Sequence, residues 1–402
     1  METLYSSLTR LFLFFDRIRI HLLLHVDQRT LEVLKFVLLG LFALAFLVQL
    51  YFYLFVFRKT GAYRKSDTVS DTPAATVIVC ARNEDDNLSK FLPLLFQQDY
   101  PDYEVVVVND CSYDHTADIL EEFSKKQPRL KVVTIKEDEN YRHGKKFALL
   151  CGIKGASHEH LVFTDADCYP AGPGWLKAIL SNYSSEKTEI VLGYGAYEKN
   201  KGILNKLIRF DAFCIALNYL SLSLSGKTYM GVGRNLSYRK SLFFKHKGFG
   251  SHYFLESGDD DLFVNQAATA ENVKAELSAE SITYSSPKYS FGDWFNQKRR
   301  HLTTYGFYKK DSKRRLFFIT GSQYAFWILF SVCLFARPYT VFVLAAFLLR
   351  LLCQLFIFRK AMNRLGEKDL LLFSPVFELC LLFIYPVIQF SNTALKQNKW
   401  KS

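Results

Sequence analysis

The eight cysteines are scattered through the 402 residues with no CxxC pair and no Cys/His ligand spacing. That pattern excludes a zinc module and a secreted disulfide framework. Cys80, Cys111 and Cys168 flank strand-like motifs and read as small buried side chains in a reducing compartment. No internal repeat or low-complexity tract is present. A clean secretory signal is missing too: the first apolar stretch is broken by Arg10, Asp16, Arg17 and Arg19, and no small-residue cleavage site follows. Acidic residues are in deficit, 39 against 51 basic, for a net charge of +12. Nucleic acid, an acidic substrate or a membrane surface would each suit that excess. Basic clusters at Arg58, Lys59, Arg64, Lys65 and at Lys309, Lys310, Lys313, Arg314, Arg315 sit beside apolar runs, which favours the membrane and argues against nucleic acid.

What the chain has in abundance is apolar sequence, concentrated at its two ends. Residues 33–57 are apolar except for Lys35 and Gln49; as a helix they would cross a hydrocarbon core of roughly 30 Å with some tilt. Residues 316–336, 339–358 and 370–390 make three more candidate spans, the last transmembrane or re-entrant. Arg350 and Glu378 interrupt the final two and are expected to face a helix partner or a polar cavity. Residues 1–32 read as an amphipathic N-terminal segment lying in the interface. The basic loops fall inside if Arg58 onward is cytoplasmic, which places the chain in the plasma (inner) membrane with its soluble domain in the cytoplasm. Lys396, Lys399 and Lys401 then sit on the wrong side if the last segment spans.

Residues 61–310 form a soluble domain of common size. Thr76 to Cys80, Val105 to Val108, Lys131 to Ile135 and Leu161 to Thr164 are short apolar or β-branched runs. Leu88 to Gln98, Ala117 to Lys126 and Lys145 to Gly155 have helical character between them. Continuous apolar strands joined by helical crossovers predict an α/β fold with a mostly parallel sheet. Ligands of such sheets lie beyond the strands' carboxyl ends. Those ends carry Arg82-Asn83-Glu84, Asn109-Asp110 and Asp165-Ala166-Asp167.

Asp165 and Asp167 put two carboxylates just after an apolar strand, a pattern suited to a hard divalent cation, Mg2+ or Mn2+, that neutralises a leaving diphosphate. Asp110 ends a strand where it can bind a ribose hydroxyl or base N–H, while Ser112 or Asp114 caps the next helix. His143-Gly-Lys-Lys146 precedes a helix whose N-terminal amides and Lys145 could meet phosphate. Asp259, Asp260 and Asp261 stack three acids before an apolar helix; one suits a general base for an acceptor hydroxyl, and an acidic helix start gives the same pattern. In a helix, Gln297, Arg300 and His301 share a face, where Arg300 can grip a diphosphate. Lys298 and Arg299 read as resting on lipid headgroups.

The runs ATVIVCARNE (75–84), YPDYEVVVVNDCS (100–112) and TDAD (164–167), with Gln297-x-x-Arg300, resemble the family 2 inverting glycosyltransferases. The likeness is strongest to the membrane-embedded branch holding cellulose, hyaluronan and poly-N-acetylglucosamine synthases and ceramide glucosyltransferases. It implies a GT-A catalytic domain between N- and C-terminal transmembrane helices. It further implies that Glu84 and Asp110 hold the nucleoside with Lys145 nearby, that Asp165 and Asp167 take the metal diphosphate, and that Gln297 and Arg300 bind donor. The register of the family's Glu-Asp-x-Asp-Leu pattern makes Asp259 the base, with Asp260 in reserve. The segment 231–235, with Gly233 and Asn235, resembles a family stretch near the acceptor, as does the position of His301. Two departures stand out: Gly258 replaces the family's Glu, and His301 replaces its Trp, a smaller stacking platform.

The expected partners are a nucleotide-sugar donor, a UDP-sugar by that family's usage, a lipid-linked or saccharide acceptor, membrane lipids and a second copy of the chain. The expected reaction is hexosyl or N-acetylhexosaminyl transfer. A processive polysaccharide synthase is the alternative within the class, and an inactive nucleotide-binding receptor or scaffold the alternative outside it.

Overall fold

The computed structural model describes residues 27–65, 72–137, 144–337 and 339–394. The first 26 residues of the amphipathic segment, His143, and the tail lysines Lys396, Lys399 and Lys401 lie outside the described residues. Helix α1 (Gln28–Tyr51) continues through a π-helical turn at Phe52–Phe57 as far as Gly61. It starts ahead of the apolar run because Asp27 caps it, accepting from the Thr30 N–H at 3.0 Å. Lys35 is paired with Glu32 at 2.7 Å within the first turns.

Strands and helices then alternate: β1 (Ala75–Ala81), α2 (Asp85–Phe96), β2 (Tyr103–Asp110), α3 (Thr116–Lys126), β3 (Leu130–Ile135), α4 (Lys145–Gly155) and β4 (His160–Asp165). These four strands are parallel. The chain goes on through β5 (Cys168–Pro170), β6 (Ile190–Leu192), β7 (Gly195–Tyr197), the long apolar helix α5 (Ile203–Ser223), β8 (Leu236–Arg239), α6 (Asp261–Ala267), β9 (Val273–Ala275), β10 (Thr283–Ser285) and α7 (Phe291–His301). The main sheet runs β3-β2-β1-β4-β8-β6-β9, and a small second sheet runs β5-β10-β7. β8 is antiparallel to both of its neighbours.

β1 and β2 are continuous apolar runs because both of their faces are covered; Val77, Val79, Val105 and Val107 are buried with Leu88, Leu92 and Leu95 of α2. α4 closes on the other face through Gly152, where a Cβ would stand 2.9 Å from Val108 and 3.0 Å from Ile78. The register pairs Cys80 with both Val108 and Asp165, so the carboxyl ends of β1, β2 and β4 finish at one edge. The acids predicted for a ligand cleft therefore share that edge.

Three long helices follow among the described residues: α8 (Lys310–Ala336), α9 (Thr340–Leu365) and α10 (Ser374–Ala394). Among the described residues four stretches, Gln28–Gly61, Lys310–Ala336, Thr340–Leu365 and Lys368–Asn392, are long and apolar enough to cross a membrane, with mean hydropathies of 2.4, 1.5, 2.5 and 2.1. The chain divides into two compact units, one holding the described residues up to Leu54 with Arg314–Gln354, the other holding Phe55–Lys313 and the residues from Leu355 on.

In the first unit, Phe42, Ala45 and Phe46 of α1 pack with Phe326 and Cys333 of α8 and Val343 and Ala346 of α9. The buried Arg350 is met by polar side chains: Gln354 at 2.7 Å, and Gln49 and the Tyr53 hydroxyl at 3.0 Å each. A charge inside an apolar helix thus faces polar partners, as the cost of leaving it in hydrocarbon requires.

In the second unit, α5 carries two buried charges of opposite sign. Arg209 donates to Glu367 at 3.0 Å and to Asp369 at 2.8 and 2.9 Å, and Tyr194 donates its hydroxyl to Glu367 at 3.1 Å. Asp211 pairs with Lys298 of α7 and accepts from the Tyr385 hydroxyl of α10. Arg299 donates to Asn392 Oδ1 and to the Ser391 carbonyl, each at 3.2 Å. These contacts correct the expectation that Lys298 and Arg299 rest on lipid headgroups. Both are buried because carboxylate and carbonyl partners on α5 and α10 compensate their desolvation.

Candidate functional site

The turns that follow β1 and β2 are stitched together by side chains. Asn83, at φ +54°, donates its N–H to Ser112 Oγ at 3.0 Å and accepts from the Tyr113 N–H at 2.9 Å. Asp114 accepts from the N–H groups of Asp85 (3.1 Å) and Thr116 (3.0 Å), serving the starts of α2 and α3 together. Capping thus falls to Asp114 and turn-bracing to Ser112, and Asp110 closes β2 with 1% of its surface exposed. Glu84, half-buried, accepts from Asn87 at 2.6 Å.

Lys145, the first residue of α4, reaches across the edge. Its ammonium lies 2.7 Å from Asp165 and 3.3 Å from Asp259. These three line one pocket with Asp260, Gly233, Cys80, Thr164 and Tyr238. A lysine so enclosed stays charged because the flanking carboxylates outweigh burial; its pKa is held well above the usual value. Burial alone would raise Asp165, but Lys145, then Arg234 and Arg300, hold it below the usual carboxylate range. Asp167 goes the other way: burial, then the charges of Asp165 and Glu84, push it up.

Ligand atoms of Asp165, Asp167 and Cys168 lie within 4.8 Å of one another. The donor chemistry decides what would fit. The Cys168 thiol donates to Asp167 Oδ1 at 3.4 Å, and burial beside two carboxylates drives its pKa well up, so it stays a thiol. Two carboxylate oxygens remain, a set suited to a hard cation that keeps waters and shares oxygens of a bound diphosphate. An extra positive charge there would also relieve the pressure on Asp167.

The three consecutive acids take three different roles. Asp261 accepts from the Thr304 and Tyr308 hydroxyls and from the Leu262 N–H at 2.7 Å, and is spent on anchoring α6. Asp260 accepts from the Gly233 N–H and the Asp261 N–H, both at 2.7 Å, and burial with its two acidic neighbours raises its pKa to about 7. Asp259 is the one facing Lys145. Gly258 has φ +101°, and a Cβ there would stand 2.5 Å from Leu262 Cδ1. A glutamate cannot take this position without rebuilding the turn.

Asn235 corrects a second expectation. Its amide donates to the carbonyls of Tyr194 (2.9 Å) and Ser281 (2.6 Å), its oxygen accepts from Trp175 Nε1 at 3.2 Å, and it is 1% exposed. Its hydrogen-bonding groups are used inside the protein, so it holds the two sheets together instead of facing an acceptor. Gly231 likewise serves packing, its Cβ position lying 3.0–3.2 Å from Leu192, Leu236 and Val264. Gly233 stays at the pocket wall.

α7 begins on a Ser290 cap, and its last turn carries Lys298, Arg299, Arg300 and His301, which suits the helix dipole. Gln297, Arg300 and His301 do lie off the buried face formed by Trp294, Lys298 and Arg299. The charge of Arg300 is felt at Asp165, and His301, exposed at the end of α7, stands near the positive charges of Lys298, Arg300, Arg234 and Lys145. Sequence reasoning missed Arg234, whose charge reaches Asp165, Asp167 and Cys168. Its position one residue after Gly233 was the available signal.

A mostly parallel sheet with acids converging at one edge and a small second sheet beside it is the architecture of GT-A glycosyltransferases. The mannosyltransferase PcManGT from Pyrobaculum calidifontis, solved in complex with GDP-Man and Mn2+, shares it with a TM-score of 0.55 at 18% identity, over 86% of this chain and 99% of that one. Residues 76–245 match the family model for glycosyl transferase family 2. The chain is 37% identical over 158 residues to a poly-β-1,6-N-acetyl-D-glucosamine synthase of Staphylococcus epidermidis, covering 39% of this chain and 37% of that protein. To the Bacillus subtilis protein named "Probable glycosyltransferase YdaM" it is 25% identical over 240 residues, 58% of this chain and 56% of that one. The chain spans about half the length of the curated relatives it matches, from 42% to 61% for the first three.

Proposed function

We propose that the protein is a membrane-bound inverting glycosyltransferase that moves a hexosyl or N-acetylhexosaminyl group from a UDP-sugar to a hydroxyl of a lipid-linked or saccharide acceptor. The observation that carries this reading is the Lys145 bridge: one ammonium joins Asp165, at the end of β4, to Asp259, before α6. Donor-side and acceptor-side chemistry thereby meet in one pocket.

In this reading Glu84 and Asp110 hold the nucleoside, and Gln297 and Arg300 approach the diphosphate from α7. Asp165 and Asp167 would hold Mg2+ or Mn2+, which supplies positive charge to the leaving nucleoside diphosphate. Asp259 takes the proton of the acceptor hydroxyl as that oxygen attacks the anomeric carbon. The carbon–oxygen bond to the diphosphate breaks on the opposite face, inverting the centre. Arg300 and Lys145 stabilise the charge that develops on the departing group. The four long apolar helices support anchoring in a membrane, and the basic residues Arg58, Lys59, Arg64 and Lys65 support a cytoplasmic face for the catalytic domain in the inner membrane. His301, in place of a large aromatic platform, favours single or limited transfer over processive synthesis.

The test is a panel of nucleotide-sugars offered to the full chain in nanodiscs, with release of nucleoside diphosphate followed with and without Mg2+ or Mn2+. Release from one or two donors, only with the metal and faster with a lipid-linked or saccharide acceptor, supports the reading. Absence of release from every donor under all conditions sinks it in favour of a binding protein.

A further inference from the structure

Arg234 is built into the wall beside the acids by several independent contacts. Its Nη1 donates to Ser285 Oγ at 2.8 Å and to the Ala196 carbonyl at 3.3 Å, and its guanidinium lies 4.3 Å from the centre of the Tyr197 ring. Its own carbonyl accepts from the Thr283 hydroxyl at 2.9 Å. Gly195 makes room for the side chain: a Cβ there would stand 3.1 Å from Arg234 Cβ and 3.3 Å from its Nε. Backbone and guanidinium are thus both tied to the second sheet, which leaves the group little freedom to swing away.

The register of that sheet fixes where this charge sits. Ser285 is the cross-strand partner of Cys168 on one side and of Tyr197 on the other. Directly opposed residues on antiparallel strands are about 4.5–5.5 Å apart at Cα. The guanidinium bound to Ser285 is therefore held next to the strand that begins one residue after Asp167. Its hydrogen-bond partners are neutral oxygens, so it occupies no carboxylate ligand atom and acts on Asp165 and Asp167 through space.

We infer that Arg234 is a positioning residue for the cation site: its fixed positive charge weakens capture of a lone divalent cation by Asp165 and Asp167, so that cation and donor diphosphate bind together. The inference rests on the reading of Asp165 and Asp167 as the metal carboxylates. The physical basis is the sign of the field. A guanidinium close to two carboxylates repels an arriving divalent cation, and the negative charge of a diphosphate offsets that repulsion when both ligands arrive. Binding of each then favours the other, a coupling that must be reciprocal.

The experiment uses Mn2+ as the probe, with free Mn2+ read by electron paramagnetic resonance against the full chain in detergent, with and without UDP. Arg234→Gln is expected to bind Mn2+ alone about tenfold more tightly than the wild type, and UDP should then improve Mn2+ affinity by about tenfold less than it does in the wild type. Arg234→Lys keeps the charge and should stay within about twofold of the wild type. Ser285→Asp sets a compensating carboxylate against the guanidinium and should tighten Mn2+ alone as well; it decides the matter if Arg234→Gln does not fold. A role confined to packing would weaken Mn2+ binding or leave it unchanged, and either result in variants that fold overturns the inference. If the wild type binds no Mn2+ even with UDP present, the metal reading and this inference fall together.

Discussion

The Lys145 ammonium stands 3.3 Å from the Asp259 carboxylate, joining the first turn of α4 to the turn that precedes α6. One ammonium thereby joins Asp259 to Asp165, while Asp261 is committed to Thr304 and Tyr308. Replacing Asp259 by Asn keeps the shape and removes the proton acceptor. Asp259→Asn is expected to lower sugar transfer by about 10²–10⁴-fold, the range over which a general base acts. UDP binding by titration calorimetry should stay within about threefold of the wild type. Transfer at the wild-type rate would remove the assignment, and loss of UDP binding would make Asp259 a donor ligand instead.

Asp260 gives a pH signature with a definite sign. Its folded pKa is about 7, against the usual carboxylate value near 3.9 for an unfolded chain. Below pH 4 both states carry the proton. Between about pH 4 and 7 the folded state keeps a proton that the unfolded state has lost, so stability falls as pH rises through that window and levels off above it. Asp260→Asn cannot lose a proton and should show a shallower decline. The measurement is Tm at half-unit steps from pH 4.5 to 8.5 for both proteins. Parallel curves would show that Asp260 titrates normally.

The strands and the cleft acids were legible in the sequence for a physical reason. A strand buried on both faces must be apolar throughout, and a polar residue at its carboxyl end has only the ligand edge to occupy. Hence β1, β2, β3 and β4 exceed the predicted runs by two residues or fewer at either end, and Asp110 and Asp165 are the last residues of β2 and β4. What the sequence conceals is which way a charged side chain points when its partner is far along the chain. Lys298 and Arg299 read as resting on lipid headgroups until Asp211 and Asn392 are placed beside them. Asn235 reads as a ligand group until Tyr194, Ser281 and Trp175 use all of its polar atoms. The one hint was Arg209 and Asp211 standing among the apolar residues Leu207, Ile208, Phe210, Ala212 and Phe213 of α5. Charges there imply partners without naming them.

That hint leads to a stability prediction. Arg209 and Glu367 both have side chains 2% exposed, while Asp369 is 41% exposed. Arg209→Met leaves the Glu367 carboxylate enclosed with Tyr194 as its remaining donor among the contacts described here. Removing one partner of a buried pair costs about 3–5 kcal/mol. The double variant Arg209→Met with Glu367→Gln should recover part of that loss, because the orphaned charge goes with it. Denaturant titration of the purified chain, followed by tryptophan fluorescence, gives both numbers. A single-variant loss below about 1 kcal/mol would mean that water reaches Glu367.

The turn before Asp259 provides the last test, since Gly258 leaves no room there for a side chain. At φ +101°, Gly258 occupies backbone space that costs other residues about 1–3 kcal/mol, and an added Cβ would collide with Leu262 at 2.5 Å. Gly258→Ala should therefore lower stability by about 2–4 kcal/mol, combining backbone strain with overpacking. Because Asp259 is the next residue, transfer should fall even at temperatures where the variant is folded, with UDP affinity little changed. Pairing it with Leu262→Ala relieves the collision and leaves the backbone strain. Partial recovery of stability without recovery of transfer would therefore be expected, and full recovery of both would show that the collision alone, and not the left-handed turn, sets the position of Asp259.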